Sequence, residues 1–438
     1  MADSTIPSSM PLPTTPDSEV TELPEALQPP TKSVSIGFTS ALTIANIALY
    51  MCWIAIGSLL LPVQILQLDP THKVADLGLI TGITSLLALV TNPVAGAFSD
   101  RTVSRFGRRR LWIFAGALIS VIALGLLMSG QSVLVLGLGW AIFQISSNVI
   151  LAALSAVVPD QVPDRQRGGV SAMVGLAISV GSVVGAILVG QVLKTPASSY
   201  AVLIALVLVV FIGYALILRE KVLPKGAVPS FHLGSFLRNF WVNPLEYPDF
   251  GWAWLTRFLT VLGYFLAIGY TTYYLQDVIH YTQIFPGQSV VQGASTVTIV
   301  ITLVSLVSTL LGGFLSDRLQ RRKLFVLLAS ILMAVGLLII AIVPTWTSLL
   351  AGAAVLGLGF GMYMAVDLAL ITQVLPSARN RAKDMGIINI ANTLPQSLAP
   401  VIAALVISST HSYTLLFIAG GLIALLSGIL VSPIKSVR

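Results

Sequence analysis

Twelve apolar segments of twenty or more residues, parted by polar breaks, fill this 438-residue chain. They fall at 37–64, 76–99, 111–130, 132–158, 169–191, 198–218, 251–275, 294–316, 323–343, 347–375, 385–409 and 412–433. A helix of about 20 residues crosses a hydrocarbon core of about 30 Å, so each segment is long enough to span a bilayer. A soluble reading fails on composition. Only 9% of the residues are charged against 56% hydrophobic, whereas soluble domains average roughly 25% charged. The expected fold class is therefore all-α: a polytopic membrane protein of twelve transmembrane helices. Pro62, Pro93, Pro395 and Pro400 lie inside these segments, which membrane helices tolerate.

The basic residues give the orientation. With a cytoplasmic N-terminus, 21 of the 24 Lys and Arg residues fall on cytoplasmic segments and two, Lys73 and Lys194, outside. This positive-inside bias predicts that both termini are cytoplasmic, in a multi-pass protein of the cell (inner) membrane. The net charge of +7 is thus a property of one membrane face, where it meets anionic lipid, and no nucleic-acid partner is expected. Residues 1–36 are rich in Pro, Ser and Thr, without a basic start or an apolar core; they read as a disordered cytoplasmic tail, not a signal peptide. Residues 434–438 form a second short tail. The longest internal break, 219–250, reads as a cytoplasmic linker, and FHLGSFLRNFW within it has the spacing of an amphipathic surface helix.

An internal repeat divides the chain. GAFSDRTVSRFGRRRLWI, after span 2, recurs as GGFLSDRLQRRKLFVL after span 8; VPDRQRG, after span 4, recurs as LPSARNRA after span 10. The two pairs share nearly one offset. The chain is thus expected to be two six-helix pseudo-repeats, 37–218 and 251–433. Such repeats mark transporters, with the solute site near the midplane between the halves.

The repeated loop carries a resemblance. Gly96, then Asp100-Arg101, then Gly107-Arg108-Arg109-Arg110 resemble the loop 2–3 signature of the major facilitator superfamily, Gly-x-x-x-Asp-Arg-x-Gly-Arg-Arg. Gly313, Asp317, Arg318, Arg321 and Arg322 match its second copy, with Gln320 where the glycine would stand. The first copy has four extra residues. Its form, SDRTVSRFGRRR, is similar to the glycoside–cation and sucrose–proton symporter branches. The resemblance covers about 37–433 and implies a gating role for both loops. An acid at a helix end that accepts hydrogen bonds from arginines in one conformation only can bias an access equilibrium. The arginines also fix topology, and for Arg105 and Arg110 that alone suffices.

In that superfamily spans 1, 4, 7 and 10 line a central cavity. Here span 1 carries Asn46, Tyr50 and Trp53 on one helical face, and span 4 carries Gln144 and Asn148. Spans 7 and 10 add Tyr264 and Tyr363. These seven are candidate cavity residues, although interhelical packing explains such stripes as well. Two charges lie deep in apolar segments, Arg257 and Asp367. They sit at similar depths, roughly 9 and 13 Å from the same face by helical rise. A charge in hydrocarbon is costly unless paired, so the two are expected to pair, with Asp367 carrying a coupling proton or binding solute. Asn389, Asn392 and Gln396 give span 11 a polar face.

Departures narrow the class. Span 5 lacks the Gly-Pro pair of proton-antiporting drug exporters, and span 4 lacks their membrane arginine. Span 2 holds no carboxylate of the kind found in sodium-coupled melibiose-type carriers. The implied function is a secondary active transporter that moves a small organic solute by alternating access, through proton-coupled sugar or glycoside symport. The alternative is a proton-coupled exporter of amphipathic drugs or metabolites, which Trp53, Met362 and Met364 would suit. The four histidines, His72, His232, His280 and His411, are far apart, and Cys52 stands alone. No metal, cofactor or enzymatic site is therefore expected. There is no phosphate-binding loop of the Gly-x-x-x-x-Gly-Lys-Ser/Thr type. The expected partners are a small-molecule substrate, protons and the lipid bilayer, with the chain working as a monomer.

Overall fold

The computed structural model describes residues 28–224, 246–374 and 381–434. Among them are twelve helices long and apolar enough to cross a membrane, and no strands. The first six are α1 (Ile36–Leu68), α2 (Lys73–Arg101), α3 (Arg110–Ser129), α4 (Val133–Gln161), α5 (Asp164–Val192) and α6 (Pro196–Ile217). The second six are α7 (Pro248–Asp277), α8 (Val290–Leu319), α9 (Arg322–Ile342), α10 (Trp346–Val374), α11 (Arg381–Thr410) and α12 (Tyr413–Leu430). Several run past the apolar stretch that marks them in sequence. The helix continues into the interfacial layer, where local caps rather than hydropathy end it. Ser35, Ser132, Thr195 and Ser412 each accept a backbone N–H from the first turn of the helix they precede. Ser289 and Gln292 form a reciprocal capping box at the start of α8. The amphipathic stretch 231–241 and Arg379 of the second repeated pair lie outside the described residues.

Packing repeats between the first and second six helices. α1 packs on α5 as α7 packs on α11; α4 packs on α2 and α3 as α10 packs on α8 and α9; α3 packs on α6 as α9 packs on α12. The pattern is broken inside the first six. Seven residues of α1 (Ile54–Leu60), five of α5 (Leu188–Val192) and five of α6 (Leu208–Ile212) are wound as π-helix. In α1 the cause is legible: Pro62 has no N–H to donate to the Ser58 carbonyl, so the regular ladder fails there.

The two sets of six meet through α2 with α11 and α5 with α8. The contact is close at one end only. A methyl group at Gly78 or Gly82 of α2 would lie 2.5 Å from Ala404 Cβ or 2.3 Å from Val401 Cγ2 of α11; one at Gly190 of α5 would lie 2.1 Å from Ser295 Cβ of α8. Toward the arginine-rich end the same helices separate. Methyl groups at Gly96 of α2, and at Gly168, Gly169 and Gly175 of α5, would meet nothing within 4 Å. The halves are sealed at the arginine-poor end and splayed at the other.

Candidate functional site

The buried charges of α7 and α10 meet. Arg257 Nη1 donates to Asp367 Oδ2 at 2.5 Å, and Tyr363, one turn before Asp367, donates its hydroxyl to Oδ1 at 2.7 Å. Asp367 is 4% exposed. Both carboxylate oxygens are therefore engaged, and Tyr363 is a partner of Asp367 rather than the open cavity wall expected from its spacing. Arg257 Nε and Thr256 Oγ1 are buried with no hydrogen-bond partner among the described residues, which leaves a donor beside the ion pair. Seven residues from Arg257 along α7, and seven from Asp367 along α10, Tyr264 and Phe360 stack face to face, with centroids 3.6 Å apart at 9°. Seven residues rise about 10 Å, so the stack covers the ion pair on the sealed side.

The stripes of α1 and α4 face each other. Trp53 Nε1 donates to Ser147 Oγ at 3.0 Å, and Tyr50 lies edge-on to Trp53. A methyl at Gly57 would lie 3.2 Å from the Trp140 ring. Trp140 Nε1 and Gln144 Oε1 are buried without a partner among the described residues. Asn46 and Asn148 lie on the same faces. Both are buried, and each turns its amide back to a carbonyl four residues earlier, Leu42 at 2.9 Å and Gln144 at 2.8 Å. Helical spacing puts a side chain on a face but does not say whether it bonds outward or to its own helix. Tyr50, Trp53, Gln144 and Tyr264 keep partial exposure.

The loop between α2 and α3 folds around a buried arginine. Arg109 is 2% exposed. Its guanidinium donates through Nε to Asp160 at 2.9 Å, through Nη1 to Ser99 at 2.9 Å, and through Nη2 to Asp100. Arg108 adds a second contact to Asp160, at 2.7 Å. Burial works against the Arg109 charge, but the Asp160 and Asp100 carboxylates outweigh it and hold the guanidinium pKa above its ordinary value. Glu220, just past α6, accepts the backbone N–H of Arg109 and of Arg110, both within 2.9 Å. It thereby caps α3. Burial pushes its carboxyl up, and those backbone bonds pull it part of the way back. Arg101 donates to the Ala97 carbonyl of its own helix at 2.7 Å.

The second copy is looser. Asp317 is 73% exposed at its side chain and lies 3.9 Å from Arg322. Gln320 takes the left-handed φ of 53° where the motif has glycine. Arg318 and Arg321 are exposed, and a methyl added at Gly313 would meet only Ala365 Cβ, at 3.8 Å.

Asp160 and Glu220 escape the sequence reading because each lies among other charges at the edge of an apolar span, Asp160 before Asp164 and Arg165 and Glu220 between Arg219 and Lys221. No spacing in the sequence ties either acid to the arginine loop. Gly107 shows the contact with Glu220 from the backbone side. Its φ is +99°, and an added Cβ would lie 2.4 Å from Glu220 Oε2 and 2.7 Å from Glu220 Cβ. Gly107→Ala is expected to cost about 1–3 kcal/mol and to lower the unfolding temperature of the purified protein. An unchanged temperature would mean that the loop relaxes freely.

A model of the Major Facilitator Superfamily matches residues 42–301 and 287–436. A general alpha-glucoside permease of Schizosaccharomyces pombe is 26% identical over 119 residues, 24% of this chain and 22% of the permease. The chain thus spans about a fifth of that relative. Among solved structures, a point mutant of the nucleoside transporter NupG superposes with a TM-score of 0.72 at 13% identity, covering 91% of this chain and 100% of NupG. A bacterial homolog of the human lysosomal transporter Spinster, inward-facing and unoccupied, gives 0.64 at 17% identity over 92% of this chain and 96% of its own.

Proposed function

Because the chain belongs to the Major Facilitator Superfamily, we propose that it moves a neutral, hydroxyl-rich small solute, a sugar or glycoside, together with protons by alternating access. The arginine-rich end faces the cytoplasm in this reading, and the splayed state is the one open to it.

The observation that carries the proposal is the Arg257–Asp367–Tyr363 cluster. An ionised Asp367 neutralises Arg257. Protonation of Asp367 leaves Arg257 as an uncompensated buried cation, which is costly. A solute oxygen accepting from the unpartnered Arg257 Nε offsets that cost. Proton and solute then favour each other's binding, which is the thermodynamic content of symport. On the other half, Trp53 offers an apolar face, and Gln144 Oε1 and Trp140 Nε1 offer an unused acceptor and donor. This is a set suited to hydroxyl groups on a ring. The partial match to an alpha-glucoside permease supports the same solute class.

The Tyr264–Phe360 stack favours a second reading, a flat amphipathic solute exported in exchange for protons. Uptake into proteoliposomes of labelled glucosides, nucleosides and amphipathic cations separates the two. The proposal expects glucoside uptake with a KM raised roughly fivefold to tenfold by Trp53→Ala, since the lost apolar contact of a sugar ring, on the order of 50 Å², is worth about 1 kcal/mol at about 25 cal/mol per Å². Transport of the cations alone would reject it in favour of export.

A further inference from the structure

The coupling carboxylate ends a longer chain of buried hydroxyls. Tyr363 donates to Asp367 Oδ1 at 2.7 Å, and its hydroxyl also hydrogen-bonds the Thr260 side chain of α7. Thr260 Oγ1 lies 2.5 Å from Ser427 Oγ of α12, with either oxygen able to donate. Both reach the Thr256 carbonyl, Thr260 at 3.0 Å and Ser427 at 3.1 Å. Thr260 and Ser427 are 0% exposed and Tyr363 1%, so no hydroxyl of the chain can turn to bulk water instead.

A hydroxyl holds one hydrogen and can accept as well as donate. This chain is therefore complete in either direction. With Asp367 ionised, the hydrogens point toward it: Ser427 donates to Thr260, Thr260 to Tyr363, and Tyr363 to Oδ1. With Asp367 protonated at Oδ1, the new O–H donates to the Tyr363 oxygen, and Tyr363 needs another acceptor. Thr260 supplies it and turns its own hydrogen to Ser427. Ser427 in turn donates to the Thr256 carbonyl, which accepts and cannot donate. Only the Oδ1–H bond forms, with a proton taken from water; the hydroxyl hydrogens rotate about their C–O bonds. An apolar side chain at position 260 leaves the ionised state one neutral hydrogen bond short. It leaves the protonated state with a buried O–H that has no acceptor, which costs more. Besides each other, Asp367 and Tyr363 face one charged or titratable group among the described residues, Arg257 of α7; none from α8 or α9, which pack on α10, or from α12 reaches either.

We infer that Thr260 and Ser427 are positioning residues for the coupling proton: they form a hydroxyl relay that reverses direction when Asp367 is protonated and so holds the protonated carrier without a stranded donor. This rests on the symport reading above. Through Ser427, α12 acts on the coupling site without touching solute.

The test follows the carboxylic-acid C=O infrared band of Asp367 in the full chain reconstituted in lipid, assigned by its loss in Asp367→Asn and titrated with pH. No solute is needed. Thr260→Val, which nearly keeps the shape of the side chain, is expected to lower the midpoint of the titration by about one pH unit, a tenfold loss of proton affinity. Ser427→Ala is expected to move it the same way by less, because Thr260 still has the Thr256 carbonyl at 3.0 Å. Thr260→Ser, which restores the hydroxyl, is expected to keep the wild-type midpoint. A merely structural Thr260 would lower the unfolding temperature of Thr260→Val and leave the midpoint where it is, which overturns the relay. So does a Thr260→Ser midpoint as low as that of Thr260→Val. A wild type with no titrating band that Asp367→Asn removes would instead overturn the symport reading, and the relay with it.

Discussion

Asp367→Asn is expected to abolish solute accumulation against a gradient while leaving solute exchange across the membrane intact. The substitution is nearly isosteric. It keeps an oxygen for the Tyr363 hydroxyl, now 2.7 Å from Oδ1, and removes only the charge and the protonatable site. Uphill transport needs a group that gains a proton on one side and loses it on the other, and exchange needs only the moving halves. The amide would also leave Arg257 without the carboxylate that now lies 2.5 Å away. A permanently uncompensated cation mimics the protonated carrier, which is the form that cycles with solute bound. Accumulation of labelled solute in energised vesicles, set beside counterflow in de-energised ones, reads the two separately. Unchanged accumulation would reduce the pair to a static tie between α7 and α10.

The second large effect is structural. Arg109→Ala removes one side chain and strips Asp160, Asp100 and Ser99 of a shared partner. The loss is expected to be about 1.5–3 kcal/mol, the worth of hydrogen bonds to charged groups, because Asp160 keeps Arg108 and Asp100 is half exposed at its side chain. Arg110→Ala, one residue on, is the control. Its guanidinium lies 5.9 Å from the Phe106 ring, and a surface change of this kind is worth about 0.5 kcal/mol or less. Thermal unfolding of the two variants in detergent is expected to separate them clearly. Equal unfolding temperatures would mean that the network around Arg109 adds nothing to the fold.

These two sites differ in how far the sequence discloses them. The Arg257–Asp367 pairing is legible because the bilayer forbids the alternative: two opposite charges at similar depth in apolar helices either meet or stay buried at a high energetic cost. The arginine loop is legible as a feature but not in its wiring. Asp100 is visible in the repeat; Asp160 and Glu220 come from the far ends of α4 and α6, and no spacing rule links them to Arg109. Side-chain direction is the next limit. Tyr363 and Asp367 are four apart, which identifies a possible i, i+4 bond, yet the same spacing reads equally well as two cavity positions. The same limit holds for Asn46 and Asn148, since an amide nitrogen bonded to its own helix carbonyl leaves no trace in the pattern. The ion pair between Lys73 and Asp277, which joins the halves at the sealed end at 2.5 Å, is the least legible. Lys73 and Asp277 are 204 residues apart, and their pairing depends on which end of the molecule is sealed. The π-helical stretches of α5 and α6 have no proline like Pro62 inside or just after them, and nothing in the structure explains why they form there.

The central claim is that solute and proton cross together through the Asp367 site. It is tested most directly by internal pH in proteoliposomes when a glucoside is added outside, with no imposed gradient. The wild type is expected to acidify the lumen with glucoside and not without it, and Asp367→Asn, which exchanges glucoside without net entry, to give no pH change. Glucoside entry that leaves internal pH untouched in the wild type would contradict proton symport, and acidification that persists in Asp367→Asn would contradict the assignment of the proton to this carboxylate.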